Sequence, residues 1–278
     1  MNNDTNYIAN QIKDKGFLSI NNFLGSKNLS IVDKILKHKN QKGKESSFPV
    51  FYTQYLVKFL KADFDRIKKS FILKKIAKKL ELKSIAEKIF ESKVELHQID
   101  SYYSEKSEKE ILTWHNDIGL KDEKLKEDYF KESKATIKNE KNKISSRGIK
   151  FFIYLTDVQS DNGCLGVIPY SNKIVKELTT LILEKKIDLK PYWNLNDLRK
   201  LVADKKNKKL ISQNLGEELV DDFLKNSSFI EMENGNSLKY DLEMKKGSII
   251  IFDELCVHRG SAPKLNSRIV LRYFYRKK

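Results

Sequence analysis

His115 and Asp117 stand two residues apart, His258 follows far downstream, and Arg268 comes ten residues after it. The chain has only two further histidines, His38 and His97. Two imidazoles and one carboxylate on one side of a metal ion leave its other coordination positions open. Non-haem Fe(II) oxygen chemistry uses this donor set, because dioxygen and a co-substrate must both reach the iron. An H-x-D tripeptide alone occurs by chance in many sequences, so its surroundings decide.

Those surroundings are strands. Val94 to Tyr103 alternates, Lys150 to Leu155 is almost continuously apolar, Gly163 to Pro169 reads as a turn and a short strand, and Ser248 to Phe252 and Ile269 to Phe274 follow late in the chain. If Thr113 to Asp117 is extended, His115 and Asp117 point to the same face. His258 comes just after the run Ile249-Ile250-Ile251-Phe252, where a closed β core brings it opposite that pair. Helices occupy the rest. Ile8 and Ile12 with Lys15-Gly16 describe and close a first helix, Phe17 to Ile20 a short strand, and Ser30 to Leu36 a second helix. Apolar residues at three- and four-residue spacing from Phe51 to Phe90 predict two or three amphipathic helices over a sheet. Charged helical insertions fall at about 120–146 and 174–230. Distant strands pairing around one site, with helices outside, describe a jelly roll. No repeat or linker divides the 278 residues, so one domain is expected. Residues 1–92 form a mainly helical support, and 93–278 the core with its insertions.

Composition narrows the function classes. The net charge is +16, yet only seven of the 54 basic residues are arginine, and lysine is mixed with glutamate in stretches such as Lys121 to Lys143. That pattern is a solvated face; a nucleic-acid groove wants arginine interleaved with aromatics. Cys164 and Cys256 lie in apolar runs and read as buried free thiols. No run approaches about eighteen apolar residues and no signal pattern opens the chain, so a cytoplasmic protein without a membrane partner is expected.

Four segments in order resemble the phytanoyl-CoA dioxygenase family of Fe(II)- and 2-oxoglutarate-dependent oxygenases. Gly16 to Leu24 is similar to its opening "GF-x-hydrophobic…FL" segment, and Thr113-Trp114-His115-Asn116-Asp117 to its metal-binding strand. Leu155 to Lys173 resembles "L-x-D…NGCL-x-V-x-PGSHK", and Gly247 to Arg268 resembles "GD-hydrophobic-F…H-x-S-x-x-N…R". The resemblance implies a mixed α+β fold with a mainly β core, a double-stranded β-helix (jelly roll, cupin-like) with flanking helices and helical insertions. It implies that His115, Asp117 and His258 hold Fe(II), that 2-oxoglutarate is the co-substrate and O2 the oxidant, and that Arg268 takes the far carboxylate of 2-oxoglutarate, for which paired planar donors suit. Gln98 and Phe152 fall near positions that contact the co-substrate in the family. Arg272 and Arg276 share the parity of Arg268 and read as surface charges.

Two departures stand out. The usual Pro-Gly-Ser-His-Lys is Pro169-Tyr170-Ser171-Asn172-Lys173, and the hydroxyl two residues beyond the arginine is replaced by Val270. Asp117 is present, which disfavours halogenation, since a halide needs the carboxylate's position. The expected activity is hydroxylation of a small molecule with succinate and CO2 as co-products. Lys121 to Lys143, expected to form a mobile lid, and Lys150 suggest an anionic substrate. Lys190 to Asn194 either packs on the core or lines the pocket. A catalytically silent jelly-roll binding module and a nucleic-acid demethylase are the alternatives.

Overall fold

The computed structural model of the chain describes residues 4–36, 45–48, 50, 64–129, 148–232 and 237–278. Helix α1 (Thr5–Lys15) begins where Asp4 accepts hydrogen bonds from the amides of Asn6 and Tyr7. It ends at Gly16, whose φ of +89° suits glycine. A Cβ at Gly16 would lie 2.5 Å from Cys256 Sγ, so the site also has no room for a side chain. The Gly16 carbonyl accepts from the Asp253 amide at 2.9 Å, which ties the start of the chain to the segment leading to His258.

Two sheets carry the core, and every strand pairing among the described residues is antiparallel. The larger runs β1 (Phe17–Ile20), β8 (Ile249–Asp253), β5 (Gly148–Tyr154), β10 (Arg268–Lys277), β3 (Val94–Ser104) and β2 (Glu45–Phe48). The smaller runs β4 (Leu112–His115), β9 (His258–Gly260), β6 (Leu165–Val167) and β7 (Asp241–Leu242). The two edge strands β1 and β2 come from the N-terminal part, so that part supplies strands as well as helices. β2 has no apolar alternation and was invisible to pattern reasoning.

Strand alternation separates the two faces of the larger sheet. Phe151, Ile153, Ile251, Leu271 and Tyr273 turn outward and pack with α1, α2 (Gly25–Leu36), α3 (Phe64–Lys79) and α4 (Leu82–Phe90). Phe152, Tyr154, Ile250, Phe252 and Val270 turn inward and pack with Leu165 and Val167 of the smaller sheet. Both faces of β8 are therefore covered, which explains its unbroken apolar run. Burying each such side chain contributes about 1.5–3 kcal/mol. The expected insertion after 174 is helical: α5 (Ser171–Leu183), α6 (Leu195–Ala203), α7 (Lys205–Leu215) and α8 (Glu217–Asn226). These helices share a third apolar cluster with Trp114, Leu255 and Val257, behind the strands that carry the histidines.

The result is a mixed α and β architecture of antiparallel sheets with helices outside. Residues 51–63 of the first helical stretch lie outside the described residues. So do residues 130–147, which make up most of the expected lid. Among the described residues, no helix is long and apolar enough to cross a membrane.

Candidate metal centre

β4 ends at His115, whose partner across the smaller sheet is His258, the first residue of β9. The two rings lie 4.4 Å apart, centroid to centroid. His115 Nδ1 donates to the Thr113 carbonyl at 2.6 Å and His258 Nδ1 to the Cys256 carbonyl at 2.8 Å. A carbonyl only accepts, so each Nδ1 carries the proton and each Nε2 keeps its lone pair for a metal.

Asp117 is placed by a turn, which corrects the expectation that strand alternation aligns it with His115. The strand stops at His115 and the fully buried Asn116 takes over. Its Nδ2 donates to the carbonyls of Tyr192 (2.8 Å) and Trp193 (3.2 Å). Its Oδ1 accepts from the amides of Ile118 (3.2 Å) and Gly119 (2.7 Å). This Asx turn swings Asp117 back toward the histidines. Gly119 completes it, since a Cβ there would lie 2.7 Å from the Trp193 backbone.

Asp117 Oδ1 comes to 4.0 Å from His115 Nε2, and Oδ2 to 3.7 Å from His258 Nε2. Among the described residues this is the group of histidine, cysteine and carboxylate side chains able to hold a metal, with donor atoms all within 4.8 Å of one another. Neighbouring ligands about 2.1 Å from one ion are roughly 3 Å apart. Closing the set from separations of up to 4.8 Å therefore takes an approach of about 1–2 Å.

The charge states match. Burial holds His258 down at about 3, with the Asp117 charge offsetting this only in part, and burial also lowers His115. Burial opposes ionisation of Asp117, but His258, Lys150 and His115 outweigh it and hold the carboxyl at about 2. Near neutral pH the set is two neutral imidazoles and a carboxylate, the protonation that metal binding requires.

The inward row of β5 brings Lys150 to the centre, where its ammonium donates to Asp117 Oδ2 at 2.6 Å. The cation read as a substrate contact is thus turned to a metal ligand. Beside it, Glu254 is 4% exposed, and its Oε1 has no partner among the described residues. Burial, then Asp253, push its carboxyl up to about 7.

Arg268 opens β10 and is 5% exposed, with its guanidinium 5.6 Å from the centre of the Tyr154 ring and its Nε without a partner among the described residues. A Cβ at Gly260 would lie 3.6 Å from Arg268 Nη1. Gly260 is two residues past His258 on β9, so Arg268 stands about 6–7 Å along the strand from the metal ligand.

Phe152 faces inward and packs edge-on against Phe252. Gln98 Nε2 donates to Asp100, which also accepts from Arg272 Nε. Arg272 is half-buried between the rings of Tyr102 and Phe152, 5.4 and 5.6 Å away. Arg272 and Arg276 are therefore on the inward row of β10 and not surface charges. In the 190–194 segment, Tyr192 packs on the core and Trp193 lies beside the metal centre. Tyr192 is buried, its hydroxyl bonded with Thr179 and Tyr129, while the half-buried Trp193 ring lies 4.7 Å from the His115 ring under Lys121.

The anchoring role of Asn116 escaped the sequence reading, although an Asn three residues before Gly119 is an Asx-turn signal that would have marked it. His97 packs edge-on against Phe274, and His38 lies outside the described residues. Both cysteines are buried free thiols, as expected.

Known structures share this architecture at low sequence identity. HygX from Streptomyces hygroscopicus, solved with nickel and 2-oxoglutarate bound, is 13% identical with a TM-score of 0.54, covering 100% of this chain and 87% of its own. SnoN, a non-heme alpha ketoglutarate dependent epimerase from nogalamycin biosynthesis, is 10% identical with a TM-score of 0.51, covering 98% and 83%. SnoK, a carbocyclase of that biosynthesis with the same cofactor dependence, is 11% identical with a TM-score of 0.52 at the same coverage. No curated protein sequence matches. The phytanoyl-CoA dioxygenase family model matches residues 12–268, nearly the whole of the fold that carries this centre, and the chain belongs to that family.

Proposed function

We propose that this protein is an Fe(II)- and 2-oxoglutarate-dependent oxygenase that hydroxylates a small anionic molecule. The observation that carries this reading is the convergence of His115 Nε2, His258 Nε2 and the Asp117 carboxylate, all in ligand form, near a buried arginine with an unpartnered Nε. Bound iron supplies the activation of dioxygen, coupled to conversion of 2-oxoglutarate to succinate and CO2, with the second oxygen atom entering a substrate C–H bond.

The chain's own residues do the rest. His115, Asp117 and His258 leave one side of the metal open. Arg268 holds the far carboxylate of 2-oxoglutarate, at a distance that suits a five-carbon diacid. Phe152, opposite Arg272, and Gln98, joined to Arg272 through Asp100, stand further along β10 toward the metal end of the co-substrate. Lys150 restrains Asp117. Trp193 covers His115 and, with Lys121 above it, forms the wall toward the substrate. This lysine supports the anionic reading now that Lys150 is committed to Asp117.

The strand order supports the double-stranded β-helix, with residues 1–278 acting as one domain: 1–92 as support, 93–278 as core, and insertions at about 120–146 and 174–230. Relatives of this fold include an epimerase and a carbocyclase, so the reaction is tested by its product. A screen of small acids with Fe(II), 2-oxoglutarate and air, read by succinate release and product mass, is expected to give a product with one added oxygen atom. An unchanged mass would indicate epimerisation and loss of two hydrogens would indicate ring closure. Either result would replace hydroxylation.

A further inference from the structure

The family block "H-x-S-x-x-N…R" carries a serine two residues past its histidine, and a second hydroxyl usually follows two residues past the arginine. In this chain those positions are Gly260 and Val270. Gly260 is the residue whose Cβ would approach Arg268 Nη1, and Val270 is fully buried on the inward face of β10 with Arg268. The buried guanidinium therefore has no hydroxyl beside it from either usual position. Ser261 does not replace them, because its Oγ donates to the Cys164 carbonyl at 3.2 Å.

Tyr154 stands directly across from Val270 in the register of β5 and β10. It is fully buried, its ring lies under the Arg268 guanidinium, and its hydroxyl has no hydrogen-bond partner among the described residues. We propose that the Tyr154 hydroxyl donates to the far carboxylate of 2-oxoglutarate, in place of the hydroxyls absent at Gly260 and Val270. This rests on the co-substrate reading above.

The surroundings select a donor. The Leu165 amide and the Arg268 guanidinium are both turned toward the phenol oxygen as donors. Both are themselves donors, so the hydroxyl proton remains uncommitted. Burial pushes the phenol up to about 12, against the pull of Arg268, which keeps that proton in place at neutral pH. A buried hydroxyl without a partner calls for an explanation, and a carboxylate seated between it and Arg268 provides one.

The test is calorimetric titration of the Mn(II)-loaded full chain with 2-oxoglutarate and with 2-oxopentanoate, which has the same chain length but no far carboxylate. Tyr154→Phe is expected to weaken 2-oxoglutarate about tenfold or more while moving 2-oxopentanoate less than about twofold. Val270→Thr in the Tyr154→Phe background is expected to recover part of the loss. Equal weakening of both acids, or none, would overturn the assignment. In the wild type, 2-oxoglutarate and not 2-oxopentanoate is expected to perturb a tyrosine band in the near-ultraviolet difference spectrum. The absence of that perturbation would overturn the assignment even if the variant failed to fold. Failure of the broader reading looks different: the wild type would then bind Mn(II) but neither acid. If 2-oxoglutarate bound tightly and depended on Arg268 but not on Tyr154, only this assignment would fall.

Discussion

Asn116→Ala removes the side chain that turns the chain between two metal ligands. Four hydrogen bonds go with it, two of them short, at 2.7 and 2.8 Å, and all at a residue with no solvent exposure. A net hydrogen bond contributes about 0.5–1.5 kcal/mol, and a buried group left unsatisfied costs about 1–3 kcal/mol. The Tyr192 carbonyl and the Gly119 amide lose their Asn116 partners, so the expected loss of stability is about 2–4 kcal/mol, read as a lower denaturant midpoint at unchanged slope. Asp117 then depends on the hydrogen bond its backbone N–H donates to the Glu254 carbonyl (3.3 Å) and on its ion pair with Lys150. Metal affinity is expected to fall by about 10- to 100-fold, the effect typical of losing a group that orients a ligand. Asn116→Asp keeps the acceptor for Ile118 and Gly119 but sets an oxygen against the Tyr192 carbonyl, and it is expected to lie between wild type and alanine. The reasoning fails if Asn116→Ala loses less than about 1 kcal/mol and binds metal within about twofold of wild type.

Arg268→Ala is expected to keep metal and lose about 1.5–3 kcal/mol of 2-oxoglutarate binding, measured by titration; unchanged affinity would shift the role to Arg272. Tyr170 has a φ of +62°, in the left-handed region where the family has glycine. Tyr170→Gly is expected to raise stability by about 0.5–1 kcal/mol, and an unchanged or lower melting temperature would refute the strain argument. In the metal-free chain His258 titrates at about 3, against about 6.5 for an exposed imidazole. Between those values the unfolded chain takes a proton that the folded chain refuses, so stability falls as pH drops through this window, and His258→Gln should flatten the part below about 4.5. Glu254, raised to about 7 from 4.5, acts in the opposite sense, because the folded chain keeps a proton that the unfolded chain gives up. The two contributions offset each other between about 4.5 and 6.5, so Glu254→Gln should uncover the His258 slope there, with stability falling as pH drops from about 6.5.

What was legible depended on how local the signal was. The strands at 150–154 and 249–253 declared themselves because both faces are covered, leaving an apolar run with no alternation. The metal ligands stood out because so few histidines occur and two of them lie in recognisable surroundings. Arg268 was singled out through the family resemblance, and the fold buries it. Asp117, by contrast, was assigned to the right set for the wrong geometric reason, because Asn116 looked like a spacer when it is the anchor of the turn. Tyr154 carries no local mark at all, and Lys150 and Arg272 read locally as a substrate contact and a surface charge. Their importance comes from register, Val270 opposite Tyr154 and Arg272 opposite Phe152, between strands more than a hundred residues apart. Tyr154 in particular sits inside Lys150-Phe151-Phe152-Ile153-Tyr154-Leu155, where its hydroxyl is hidden in an apolar run. β2 was missed because an edge strand is held by backbone pairing more than by side-chain pattern.

The most direct test of the central claim is an anaerobic titration of the purified chain with Fe(II) and then 2-oxoglutarate, followed in the visible region. A weak charge-transfer band is expected when both are present, in the wild type and not in His115→Ala, Asp117→Ala or His258→Ala. No band in the wild type with either order of addition, or a band that persists in Asp117→Ala, would contradict the assignment.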